Sequence, residues 1–184
     1  MRSSSYGKLQ IIILKIVKSL IVVAQNFQDE EFVYPYYKLK EFSEVYVASS
    51  DGKDRFGKYG VPARVTHKFS DINVDDLDVI VIPGGFECPD RLRIDQDCLK
   101  IVKDCVDKKI LVAAICHGPW VLISAGVTKG IPMTGYLAIH TDLANSGALL
   151  DSVNELVVTD HFITAQHYRN NPEFMLAVKD KLSV

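Results

Sequence analysis

The sequence predicts a doubly wound, flavodoxin-like α/β domain, a mostly parallel sheet sandwiched between helices. Three observations predict it. Strand-like and helix-like segments alternate along the chain. The strand-like segments Ser19–Ala24, Asp78–Ile82 and Ile110–Ile115 are apolar at nearly every residue, the pattern of strands covered on both faces. No repeat, Pro/Gly-rich linker or low-complexity tract interrupts the alternation.

The elements follow in order. Residues 1–18 read as an N-terminal leader, with Ile11–Val17 as a candidate extra edge strand, and residues 19–184 read as a single domain. Lys15 and Lys18 break the apolar run around them. The run is therefore not expected to be a spanning helix, which needs about 20 apolar residues, or a secretory signal, whose core needs roughly 7–15 without a charge. Ser19–Ala24 is a core strand. Asp29–Glu41 carries Phe32, Val33, Tyr36 and Leu39 at helical spacing, with Pro35 expected near its start, where a missing N–H is best tolerated. Glu44–Ser49 is a strand, Asp51–Gly60 a loop, and Ala63–Phe69 a short strand. Asp78–Ile82 is a buried strand ending in Pro83-Gly84-Gly85. Asp95–Lys108 is a helix with Leu99, Val102 and Val106 on one face, and Ile110–Ile115 is the next buried strand. Pro119–Ala125 is a helix closed by Gly126. Leu156–Thr159 and Phe162–Ala165 form a hairpin across Asp160-His161, and Pro172–Leu182 is a closing amphipathic helix.

Composition excludes several classes. The chain has 184 residues, 21 basic and 23 acidic, for a net charge of −2, and this near-neutral balance argues against nucleic acid as a partner. An apolar content of 48% with 24% charge argues against disorder. Four cysteines, none in a C-x-x-C pair, are too few for a disulfide scaffold and fit no zinc spacing. Reduced thiols in a cytoplasmic protein, with no membrane partner, no metal and no cofactor, are the expectation. Neither G-x-G-x-x-G nor G-x-x-x-x-G-K-[ST] occurs, so dinucleotide and P-loop chemistry are not indicated.

In such a sheet the site lies beyond the carboxyl ends of the strands, near a topological switch point, here Ala24–Glu31, Pro83–Asp90 and Ile115–Pro119. The segment Val112-Ala113-Ala114-Ile115-Cys116-His117-Gly118-Pro119 runs from a buried strand straight into a helix, with a cysteine at the junction. This is the thiol form of a nucleophile elbow, which needs small residues two before and two after the nucleophile. Ala114 and Gly118 meet that need. A helix N-terminus beside Cys116 is expected to lower its pKa and expose it. Cys98 and Cys105 fall on the apolar side of a helix and read as packing. Glu31 has two readings: a carboxyl that tunes a neighbouring thiol, or an acid in a helix's first turn.

The segment A-A-I-C-H-G-P resembles the signature of the PfpI-like intracellular proteases of the DJ-1/PfpI superfamily, which have a class I glutamine amidotransferase-like fold. Ala24–Leu39, Asp78–Arg93, Ser124–Val127, Thr134–Tyr136 and Asp142–Ala148 extend the likeness. The resemblance implies that Cys116 is the reactive thiol. It implies that His117 pairs with an acidic group of a neighbouring subunit, best matched by Asp90 with Glu87 as substitute, because a ring on the next residue is not expected to fold back onto the thiol. Glu31 matches a glutamate that hydrogen-bonds the nucleophile. The backbone N–H groups of Gly85 and His117 match an oxyanion hole, and Tyr136 matches an aromatic at the pocket mouth. Gly84, Gln166 and His167 complete the expected substrate contacts. His67, His140 and His161 carry weaker signals. Gln28 departs from a second glutamate, Gln166 from an arginine, and the Phe86–Asp90 loop is one residue longer than in the usual PfpI-like members.

The resemblance implies a cysteine-dependent enzyme, either a hydrolase of the intracellular peptidase kind or a glyoxalase or deglycase acting on small carbonyls and glyoxal adducts. Alternatives are a redox or stress sensor using the same oxidisable thiol, and a chaperone. The aromatics Phe32, Tyr34, Tyr36, Tyr37 and Phe42 exceed what one core face needs, and with the resemblance they point to a homo-oligomer, at least a dimer.

Overall fold

The computed structural model describes residues 16–184. Strand β1 (Val17–Val22) leads to helix α1 (Asp29–Lys40) and strand β2 (Ser43–Ser49). A short antiparallel ribbon follows, β3 (Arg55–Phe56) with β4 (Pro62–Ala63), then β5 (His67–Lys68). Strand β6 (Val79–Ile82) feeds α2 (Glu87–Leu92) and α3 (Gln96–Asp107), and β7 (Leu111–Ile115) feeds α4 (Pro119–Ser124). Strands β8 (Pro132–Met133) and β9 (Leu149–Leu150) pair with each other and flank α5 (His140–Asn145). The hairpin β10 (Leu156–Val158) and β11 (Phe162–Ala165) and the helix α6 (Asn171–Leu182) close the chain.

The main sheet has the order β10-β11-β7-β6-β1-β2-β5 and is parallel except at β10. The chain winds outward from β1 through β2 and β5, then returns to build β6, β7 and β11 on the other side. The order reverses between β1 and β6, and the crevice at their carboxyl ends is the switch point. Every residue of β6, β7 and β11 is buried, as the unbroken apolar runs predict. Leu20, Ile80, Ile82 and Ile115 are fully buried, each contributing about 1.5–3 kcal/mol relative to exposure. Helices α1 and α6 pack together, tied by Asn171 Nδ2 donating to the Glu30 carbonyl at 2.8 Å. Helix α3 packs on β7 and α4.

Several expectations need correction. The first strand begins at Val17, with Val17 opposite Ser43 and Lys18 opposite Glu44, so the domain starts two residues before the expected boundary. The rest of the expected leader, residues 1–15, lies outside the described residues. Pro35 sits in the interior of α1, not near its start. It removes the N–H that the Glu31 carbonyl would accept, and burial of the ring against the core offsets part of that loss. The buried stripe of α3 is Cys98, Ile101, Val102 and Cys105, rotated from the expected Leu99, Val102 and Val106. Its start is fixed by Asp95, whose side chain accepts from Cys98 N–H at 3.0 Å. The expected strand over Ala63–Phe69 is split, because Pro62–Ala63 pairs with Arg55–Phe56 while His67–Lys68 joins β2. The Phe86–Asp90 loop is the first part of α2. Glu87 and Asp90 in its first turn and Pro89 at its third position are a helix-start pattern.

Candidate active site

Cys116 follows the last residue of β7 and has φ +61°, the left-handed conformation that a side chain rarely adopts. Three hydrogen bonds hold this turn. Cys116 N–H donates to Ala165 O at 2.9 Å, Gly118 N–H to Ile115 O at 2.8 Å and Tyr136 N–H to Cys116 O at 2.8 Å. A Cβ at Gly118 would stand 2.5 Å from Ile82 O and 2.8 Å from Ile115 O, so the turn requires glycine there. The elbow read from the sequence is therefore present in its geometry.

Glu31, in the first turn of α1, is fully buried, which decides between its two readings against an exposed first-turn acid. Its Oε2 accepts from Gly84 N–H at 2.8 Å, and the Cys116 side chain also hydrogen-bonds the carboxyl. Gly84 makes this approach possible. A Cβ there would lie 2.5 Å from Glu31 Oε2, 2.7 Å from Cys116 Cβ and 3.0 Å from His117 N. Gly84 is thus packed between the two side chains and is not an open substrate contact. The N–H groups of Gly85 and His117, the expected donor pair, both point at the Cys116 sulfur.

Burial raises the Glu31 carboxyl from its ordinary 4.5 to about 8. Burial, and then the Glu31 charge, push the Cys116 thiol up as well, outweighing the Gly85 and His117 N–H groups. This overturns the expected low-pKa, exposed thiol. Cys116 is 7% exposed, and α4 beside it is only six residues long. With both pKa values raised, the carboxyl and the thiol each hold their proton near neutrality, and the carboxyl of this coupled pair is the first to lose it as pH rises. Burial outweighs the Gly84 and Tyr168 N–H groups that face the carboxyl, so its protonated form prevails near neutrality.

His117 departs from expectation too. Its Nδ1 lies 3.4 Å from Cys116 Sγ, so the ring does reach the thiol of the preceding residue. The positive φ at Cys116 swings the thiol and the ring to the same side. Burial lowers the His117 pKa below its ordinary 6.5, leaving a neutral imidazole at neutral pH. The ring stacks on Tyr136, with centroids 4.9 Å apart and planes at 29°, and meets Trp120 at 5.0 Å and 66°.

These groups face a pocket of about 490 Å³ lined by Gln28, Glu30, Glu31, Lys58, Tyr59, Gly85, Phe86, Cys116, His117, Tyr136, His167 and Tyr168. Tyr136 and His167, two of the expected substrate contacts, are among the lining residues. Gln166 does not line this pocket. Its Nε2 donates to Thr134 Oγ1 at 3.1 Å, and it borders a neighbouring pocket of about 200 Å³ that shares Tyr136 and His167. Asp90 is exposed on α2 and is absent from the pocket, and Glu87 is held by Asn26 and Arg91. His140 bonds the Gly135 carbonyl at 3.0 Å, His67 packs edge-on against Tyr46, and His161 lies in the hairpin turn. Among the described residues no group of three or more His, Cys, Asp or Glu side chains is placed to hold a metal ion. No helix of the described residues is long and apolar enough to cross a membrane.

Sequence reasoning missed Lys58, Tyr59 and Tyr168 in the pocket. Lys58 and Tyr59 arrive on the turn between β3 and β4, whose Tyr59 and Val61 N–H groups both donate to the Asp29 carboxylate at 2.9 Å. The signal was the run Gly57-Lys58-Tyr59-Gly60, a turn flanked by two glycines, but nothing local says which element that turn packs against.

The model of the DJ-1/PfpI family matches residues 17–181. Among curated relatives, Deglycase PfpI of Pyrococcus furiosus is 39% identical over 153 residues, 82% of this chain and 90% of that protein. General stress protein 18 of Bacillus subtilis is 34% identical over 160 residues, covering 85% and 92%. Among solved structures, a two-domain protein of Anabaena variabilis with DJ-1/ThiJ/PfpI-like and ferritin-like domains superposes with a TM-score of 0.88 at 32% identity, over 91% of this chain and 48% of that one, so this chain spans about half its length. The chain belongs to the DJ-1/PfpI family.

Proposed function

We propose that the protein is a cysteine-dependent enzyme acting on small carbonyl compounds, as a glyoxalase or deglycase, with Cys116 as nucleophile. The observation that carries this reading is the convergence of a thiol, a buried carboxyl, a neutral imidazole and two N–H donors at one wall of a pocket of about 490 Å³. That volume suits a small molecule. The name of the Pyrococcus furiosus relative, a deglycase, supports the same chemistry.

In this reading His117 takes the Cys116 proton while the sulfur adds to the aldehyde carbon of a 2-oxoaldehyde. The carbonyl π pair moves onto oxygen, which the Gly85 and His117 N–H groups hold as an oxyanion hole. Protonation of that oxygen gives a hemithioacetal. Glu31, with a pKa near neutrality, is matched to moving the C1 proton to C2, which leaves a thioester. Water then cleaves the thioester to the 2-hydroxy acid and restores the thiol. The whole sequence adds one water to the substrate and needs no oxidant. The other expected contacts keep their roles: Tyr136 and His167 as walls, and Gln166 at the adjoining pocket.

A homo-oligomer remains part of the proposal. Tyr37 on α1 is 65% exposed and Asp90 on α2 faces outward, where each is available to a second copy. The test of function is turnover of methylglyoxal, followed as lactate formed by the purified protein. Turnover lost in Cys116→Ala is the expected result, and turnover that survives it removes Cys116 from the reaction.

A further inference from the structure

Outside the pocket, a second set of contacts converges on His117. Trp120, three residues on and within α4, packs edge-on against the imidazole, which also stacks on Tyr136. The indole is itself held. Its Nε1–H donates to Asp142 Oδ2 on α5 at 2.7 Å. The Arg93 guanidinium sits 5.2 Å from the indole centroid, and Arg93 Nε donates to Ser124 Oγ at 3.0 Å. Neither Trp120 nor Asp142 lines the pocket or touches the thiol. Asp142 is exposed and the half-buried Trp120 packs against the core, so the indole's packing serves the fold while its solvent-facing hydrogen bond to Asp142 adds little to stability.

We propose that Trp120 and Asp142 are positioning residues for the reaction, fixing the His117 imidazole with Nδ1 toward Cys116 from within a single protomer. The inference rests on the reading of Cys116 as nucleophile and His117 as its proton acceptor. Tyr136 covers one side of the ring and Trp120 another, and Asp142 fixes the plane of the indole. With the indole gone or free to rotate, the imidazole gains rotamers that point Nδ1 away from Sγ, and water reaches the ring. Burial is what lowers the His117 pKa, so hydration moves its titration up toward the ordinary 6.5. The other charged or titratable groups around the ring are Cys116 beside it, Glu30, Glu31, Lys58, Tyr59, Tyr136, His167 and Tyr168 around the pocket, and Arg93 and Asp142 behind the indole. None of the pocket residues changes in the proposed variants.

The test reads His117 directly as well as turnover. Full-length protein with labelled histidine is titrated by NMR, and kcat and KM for methylglyoxal are measured on the same samples. In Trp120→Ala and Asp142→Ala the His117 midpoint should rise, and kcat should fall roughly tenfold with KM little changed, as expected for a displaced reacting group. Asp142→Asn keeps an oxygen that accepts from the indole and should behave as the parent protein does. Trp120→Phe keeps a ring without the N–H and should fall between. An unchanged His117 midpoint in folded Trp120→Ala overturns the proposal, as does Asp142→Asn losing as much as Asp142→Ala. If the parent protein turns over no methylglyoxal, the functional reading fails, and the NMR midpoints still decide whether the clamp exists.

Discussion

The Sγ of Cys116 lies 3.4 Å from Nδ1 of His117, its own neighbour in the chain. Adjacent side chains in a regular strand point to opposite faces, so this contact exists only because Cys116 leaves β7 with φ +61°. The contact puts a neutral base on the thiol without help from another subunit. His117→Ala should therefore lower kcat/KM by about 100-fold or more, the range of general-base loss. An equal rate in the His117→Ala protein would mean that the thiol proton leaves by another route.

The four thiols should separate by reagent access. Burial pushes Cys88 and Cys105 to about 12 and Cys98 well above its ordinary value, and none of the three lines the site pocket. Cys116 also has a raised pKa, but it opens onto that pocket beside the His117 imidazole. Iodoacetamide on the native protein should modify Cys116 first, read by mass spectrometry of peptides. Uniform labelling of all four cysteines would contradict this arrangement.

Glu31 links stability to pH. Its folded pKa of about 8 stands above the ordinary 4.5, so the folded state binds the extra proton and this group's contribution is full below 4.5. That contribution is lost as pH rises through 8, at about 1.4 kcal/mol per pH unit between the two values. Glu31→Gln carries no such charge. The variant should gain stability relative to the parent protein across that window while losing turnover. Urea midpoints measured over the window check it, and parallel pH dependences of the two proteins would refute a buried carboxyl that titrates near neutrality.

Gly84→Ala tests the close approach at the centre of the site. The added methyl would meet Glu31 Oε2 at 2.5 Å and Cys116 Cβ at 2.7 Å, and neither belongs to a flexible surface chain. Overpacking of this kind costs about 1–3 kcal/mol. The variant should fold with a lowered midpoint and be inactive, because relief of the clash moves the nucleophile or its carboxyl. Full activity in a Gly84→Ala protein would place the reacting geometry elsewhere.

Asp29→Ala tests how the Lys58–Tyr59 wall is held. The Asp29 side chain accepts from both Tyr59 and Val61 N–H groups at 2.9 Å, and its loss leaves two donors without their acceptor. A cost of about 1–3 kcal/mol is expected for such groups. KM should rise more than kcat falls, since the turn forms a pocket wall and lies off the thiol. A change confined to kcat would argue that Asp29 acts on the chemistry itself.

Legibility in the sequence followed the range of the interactions. The elbow was legible because its requirements lie within five residues, Ala114 to Gly118, and the turn itself imposes them. The Gly84-Gly85 pair was legible for the same reason, at the end of an apolar strand. Helix α2 was missed because Phe86–Asp90 was read as a loop, although Pro89 sits in a first turn that tolerates it. The approach of His117 to Cys116 was judged from ordinary strand geometry, which the positive φ does not obey. Gln166 was placed at the pocket by its position after the last strand, yet its side chain turns to Thr134 and Asn154.

By itself the sequence determined the winding of the sheet and the place of Cys116, alone among the four thiols, at the strand-to-helix elbow. Both are set by local rules: apolar periodicity, strand-to-helix spacing, and the small residues a tight turn demands. The tertiary structure alone decided the chemical state of the site. Whether Glu31 is an exposed first-turn acid or a buried carboxyl with a pKa of about 8 depends on how β1, β6 and β7 bring residues 31, 84 and 116 together. Desolvation, which dominates both its shift and that of Cys116, is a property of the surrounding fold and not of any stretch of chain. The same holds for Trp120 and Asp142, 22 residues apart in sequence and joined only because α4 and α5 pack side by side.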